Sequence, residues 1–93
     1  MYYYEEVPVG PLVRSPAESM VFKYTDCSVV ERGPSSLTVI CKPDTVIKIY
    51  KGEEAEYVVE FTNTNTGASE KHKVDLSTAV LVKRYLESRS RAS

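Results

Sequence analysis

The residues able to do chemistry in this sequence are Cys27, Cys41, the single histidine His72, and a glutamate run over 53–60. Thiolate chemistry needs a base within hydrogen-bond reach of the sulfur. Asp26-Cys27-Ser28 sets three reactive types side by side. Neighbours on a strand point to opposite faces, however, so adjacency does not assemble a nucleophile with its base. His72 lies between Lys71 and Lys73 and serves as a general base only if the fold delivers it to Cys27 or Cys41; a solvated histidine on a hairpin arm is the plainer reading. Glu53, Glu54, Glu56 and Glu60 carry charge enough for a divalent cation but lack the glycine-punctuated spacing of a calcium loop. The glycines are scattered singly, which leaves no Walker or dinucleotide fingerprint. The expectation is a protein that is not an enzyme and holds no metal and no cofactor.

The cysteines belong to no CxxC pair, and with one histidine they cannot complete a zinc site of the usual kind. Both fall in runs that read as strands, where a small buried thiol is the ordinary explanation. A disulfide between neighbouring strands is the second reading, provided their Cα atoms come within roughly 7 Å. No glycosylation sequon occurs at Asn63 or Asn65. The chain opens on no charged-then-apolar leader and has no apolar run approaching ~20 residues, so the expected location is intracellular, cytoplasmic by default, and off the membrane.

At 93 residues, with 42% hydrophobic and 27% charged content, the chain has the balance of one small globular domain. A core this small is often supplemented by a staple or a second copy. A formal net charge of −1 argues against a dedicated nucleic-acid binder, which normally carries a basic excess. Charge is nonetheless uneven. Residues 53–60 hold glutamates without a base, whereas residues 71–91 are rich in Lys and Arg, an asymmetry able to orient a partner.

Those residues are positioned by a succession of short strands. Residues 1–19 read as an N-terminal strand (MYYYEEVPV) and a Pro-rich loop, with Tyr2, Tyr3 and Tyr4 suited to a pleated surface and Pro8 confining the piece to an edge. Residues 20–74 read as antiparallel strands. Met20, Phe22 and Tyr24 alternate with Lys23 and Thr25, and the run continues to Val30. Leu37, Val39 and Cys41 share a face, as do Ile47 and Ile49, and then Tyr57, Val59 and Phe61. Pro43-Asp44 and Gly52-Glu53-Glu54 mark turns, and Gly67 in the polar tip at 63–69 is available for positive φ. Residues 75–88 change to helical period, with Asp75 or Ser77 as cap and Leu81, Val82, Tyr85 and Leu86 clustered on one side. Lys83, Arg84 and Glu87 lie opposite, with Val80 the exception. Residues 89–93 read as a frayed tail. The fold class is therefore α+β, a small antiparallel meander of about five or six strands with one C-terminal helix packed on the sheet.

The stretch SLTVICKPDTVIKIYKGEEAEYVVEF, a hairpin and then TAVLVKRYLES resemble the polo box, the non-catalytic domain found C-terminal to polo-like kinase domains. Leu37 to Cys41, the Pro43-Asp44 turn, Val46 to Tyr50, Tyr57 to Phe61 and Leu76 to Leu86 fill the family's strand and helix places. Pleckstrin-homology-like domains match this order comparably. The chain lacks the tryptophan that phosphopeptide-reading boxes carry near the first strand, and its first 35 residues exceed what the comparison needs. The resemblance implies a lone, divergent box that dimerises or holds a partner helix without reading phosphopeptides.

Surfaces, then, and not chemistry, are what the sequence offers. The leading expectation is a protein–protein interaction or assembly domain, self-association included, using Tyr2, Tyr3, Tyr4, Tyr85, Lys83, Arg84 and Arg89. An unpaired tyrosine strand adds readily to another sheet, and Tyr85 suits a rim because its hydroxyl wants water or a partner. One alternative is nucleic-acid or anionic-ligand binding through the basic end of the helix, where cations also suit the macrodipole. Another is a small inhibitor that occludes a larger protein.

Overall fold

The computed structural model describes residues 16–91. The chain runs α1 (Pro16–Val21), β1 (Cys27–Gly33), β2 (Ser36–Cys41), β3 (Thr45–Lys51), β4 (Tyr57–Asn63), β5 (Ser69–Val74), α2 (Leu76–Arg89) and β6 (Ser90–Arg91). Strands β1 to β5 form an antiparallel meander, each pairing with the next in sequence. The full sheet order is β5-β4-β3-β2-β1-β6. The α+β class, the meander and the C-terminal helix packed on it are as expected.

Alternation decides which face of the sheet is covered. Leu37, Val39, Ile47, Ile49, Val59 and Phe61 are buried and share one face with Cys27 and Cys41. The intervening positions carry Thr38, Lys48 and Glu60, which stand side by side across β2, β3 and β4 on the other face. Helix α2 lays Ala79, Val82 and Leu86 on the apolar face, and α1 adds Ala17 and Val21 to the same core. Each buried aliphatic side chain of this kind contributes roughly 1.5–3 kcal/mol relative to leaving it in water.

Two of the turns follow their residue types, while in the β3–β4 turn the positive φ falls on Ala55 (φ +70°) and not on Gly52. Gly67 has φ +79° in the β4–β5 turn, where Asn63 Oδ1 accepts from the amides of Asn65 and Thr66. The Lys42–Pro43 bond in the β2–β3 turn is cis. Asp44 ties the two turns together: its carbonyl accepts from the Thr64 amide at 2.8 Å, and its carboxylate from Asn63 Nδ2 at 3.2 Å. Asp75 caps α2, its side chain accepting from the Thr78 amide at 2.8 Å.

Three expectations are corrected. The run from Met20 is not a strand at its start: Pro16–Val21 is helical, so residues 16–19 are not loop, and β1 begins only at Cys27. Alternation over five residues is compatible with a short helix end, and burial of Ala17 and Val21 against α2 decides the matter. Residues 89–91 are not frayed, because Arg89 closes α2 and Ser90–Arg91 pair parallel with Cys27 and Ser28. The cysteines are not free thiols. Cys27 and Cys41 face each other across β1 and β2, with Cα atoms 4.0 Å apart, and are joined in a disulfide. The Lys42 amide bonds the Asp26 carbonyl, which makes the cysteines a non-hydrogen-bonded cross-strand pair, the closer of the two kinds. The expected strand at Tyr2–Tyr4 lies outside the described residues.

Candidate groove beside helix α2

Helix α2 starts at Leu76, near Tyr57 and Ile49, and ends at Arg89, next to Ser90, which pairs with Cys27, and so lies obliquely across the sheet. One flank of it is occupied. Tyr85 packs edge-on to Phe22 with ring centroids 4.9 Å apart, and its hydroxyl lies 3.2 Å from the Phe22 carbonyl and 3.3 Å from that of Tyr24. The Arg89 guanidinium sits over the Tyr85 ring at 5.4 Å. Tyr85 thus spends its polar end on the chain that links α1 to β1.

The other flank is open. Leu76, Val80, Lys83 and Glu87 follow one another at i, i+4, i+7 and i+11, the spacing of a single helical stripe. With Arg84, Pro34 and Ser35 of the β1–β2 turn, and Ile49, Tyr57 and Ala79 as floor, they line a groove of about 290 Å³. Leu76 is 60% exposed and Val80 40%, so the groove presents apolar side chains to water. Its rim is cationic. Lys83 Nζ makes one long contact, 3.5 Å to the Gly33 carbonyl, and Arg84 has no ion pair among the described residues. The one carboxylate here, Glu87, is taken by Arg32 at 3.0 Å.

The structure therefore divides the basic set expected to act together. Lys83 and Arg84 border the groove, whereas Arg89 and Tyr85 lie on the α1 flank. Tyr2, Tyr3 and Tyr4 lie outside the described residues. Leu76 and Tyr57 were not anticipated as site residues, although Val80, an apolar residue on the polar side of the helical wheel, was the visible signal.

The residues suspected of chemistry are dispersed. Cys27 and Cys41 are in the disulfide, and Asp26 lies 3.8 Å from Lys42. His72 is on β5, across the meander from β1. It is not solvated as expected: its Nε2 is buried without a hydrogen-bond partner, its ring meets Phe61 edge-on at 5.8 Å, and Glu70 is 3.9 Å away, too far for a hydrogen bond. Glu56 pairs with Lys73 at 3.5 Å and accepts from the Glu54 amide, while Glu60 accepts from the Tyr50 hydroxyl. Glu56's own backbone amide, with help from that of Glu54 and from Lys73, holds its carboxyl below the ordinary value, against a smaller opposing effect of desolvation. No group of three metal-ligating side chains occurs among the described residues, and no helix there is long and apolar enough to cross a membrane.

No family model, no curated protein and no solved structure matches the chain.

Proposed function

We propose that this domain is a non-enzymatic protein–protein interaction or assembly module that works through the groove beside α2. The observation that carries this reading is the exposed row of Leu76 and Val80 under a cationic rim. Apolar side chains gathered in a concave patch and edged by charge are the usual surface for a protein partner. The partner is another protein or a second copy of this chain. The meander followed by an oblique helix supports a polo-box-like arrangement and a pleckstrin-homology-like one alike. The Cys27–Cys41 disulfide supports an oxidising compartment in place of the intracellular default.

The test compares the tagged chain with its Val80→Glu variant, whose far-UV circular dichroism is expected to stay unchanged because Val80 lies outside the core. We expect the wild type to bind a protein stoichiometrically, whether itself or another, in the presence of nuclease, and the variant to lose it by at least about tenfold, as for truncating an interface anchor. Equal binding by the two would refute the groove reading. Loss of the bound material on nuclease treatment would move the assignment to nucleic acid, with Lys83 and Arg84 as the phosphate contacts and a steep salt dependence.

A further inference from the structure

We propose that the bare face of the sheet, turned away from α1 and α2, is the contact surface of a dimer with a second copy of this chain. The inference goes beyond the groove, which lies on the opposite face and stays free in such a dimer.

An antiparallel sheet packed on one side ordinarily shows a polar, solvated outer face. This one is mixed. Among the described residues both helices pack on the other face. Outward positions of the central strands pair Ile40 with Val46 and Tyr50 with Val58. Ile40 is 48% exposed, and Val30 at the bulge of β1 is 55% exposed. Ser28 and Thr62 extend the Ile40–Val46 row without adding charge. Lys73, at the end of the Tyr50–Val58 row, is held by Glu56. Between these two rows Thr38, Lys48, Glu60 and Lys71 stand opposite one another across β2 to β5. Charge thus alternates along a central band bordered by apolar pairs. Lys48 and Lys71 enter no ion pair among the described residues.

The order of those charges selects a second copy as the occupant. Two such faces can meet about a two-fold axis that runs along the strands between β3 and β4, the commonest symmetry of small assemblies. Strand β3 then faces β4 of the other copy, so that Lys48 meets Glu60 and Glu60 meets Lys48. The Ile40–Val46 row falls on its own counterpart, and so does the Tyr50–Val58 row. Apolar pairs meet apolar pairs, and each charge meets its opposite. A two-fold axis across the strands would instead set Lys48 on Lys48 and Glu60 on Glu60. The favoured arrangement is also the aligned one that stacked sheets commonly adopt. Size sets its strength. Strands β1 to β5, about 4.8 Å apart and about six residues long at ~3.3 Å each, present roughly 480 Å² of flat face. A stable complex uses about 800 Å² per partner, so this dimer is weak and reversible.

Sedimentation equilibrium of the full chain over a wide concentration range tests this. We expect a reversible wild-type dimer, weakened at least about tenfold by Lys48→Glu and equally by Glu60→Lys, because like charges then meet at the centre of the contact. Neither residue belongs to the core, and unchanged far-ultraviolet circular dichroism is the check that each variant folds. Mixing the two single variants is the decisive arm. One carries carboxylates at both positions and the other ammonium groups at both, so every central contact of the heterodimer is attractive and dimerisation returns. Lys48→Glu with Glu60→Lys in one chain keeps the wild-type net charge and dimerises like wild type, as does Val80→Glu on the opposite face. A wild type that stays monomeric at its highest soluble concentration overturns the proposal and leaves the face to water or to a different protein. A mixture that stays monomeric overturns it as well. Loss of the dimer in Val80→Glu, with no effect of the Lys48 and Glu60 variants, would sink it too and place self-association in the groove.

Discussion

Tyr85 makes two kinds of contact inside the fold: its ring meets Phe22 and its hydroxyl reaches backbone carbonyls of the α1–β1 connection. We predict that Tyr85→Phe, which keeps the ring contact, lowers stability by about 1 kcal/mol, the net worth of one such bond, in urea unfolding. A variant as stable as wild type would show that water replaces that bond at no cost. The aromatic character of Tyr85 and its place on the helix were legible in the sequence, but the direction of its hydroxyl was not, because that depends on a segment more than sixty positions away. The sequence around His72 misleads for a related reason. Two flanking lysines read as a solvated arm, yet alternation on β5 turns both lysines outward and the imidazole toward Phe61. Charge on either side of a strand residue says nothing of its own environment.

At the level of elements, β2, β3 and β4 were readable because their faces alternate cleanly and their turns carry Pro43, Gly52 and Gly67. Helix α1 was not, although Ser15-Pro16-Ala17-Glu18 has the residue types of a helix start, with proline at the first position and an acid three places after serine. A helix of this length has little intrinsic stability and forms because α2 and the sheet cover it. Strand β6 left still less trace. Two residues pair with β1 only because α2 ends beside it, with Ser90 Oγ bonding the Leu86 carbonyl and Ser90 in extended backbone. The cysteines needed the register of β1 against β2, which a bulge between Val29 and Glu31 shifts by one residue. We predict that reducing this disulfide lowers stability by about 3 kcal/mol, as for closing a loop of this length (sequence separation 14). Chemical denaturation with and without reductant measures it, and coincident curves would contradict it.

On the scale of the whole molecule, the buried apolar side chains between the sheet and the two helices, from Ala17 to Leu86, form one contiguous cluster, with Val58 buried outside it. Unfolding of the described residues is therefore predicted to be a single transition, with tyrosine near-ultraviolet and backbone far-ultraviolet signals sharing one midpoint. Separate midpoints would mean that α1 or α2 detaches on its own. The groove belongs to this scale as well. No short motif encodes it, since it arises where an oblique helix has α1 on one side and nothing described on the other. Its residues come from a turn, two strands and a helix, so only Val80, out of place on its wheel, hinted at it. The parallel contact of Ser90–Arg91 with Cys27–Ser28 also has a mechanical meaning. A load applied at the C-terminal end arrives first at β1, and the covalent link to Cys41 hands it on to β2 in the interior of the sheet. The two-residue ladder and α2 would peel away before the strands part, while Cys27 and Cys41 hold the first hairpin closed under tension.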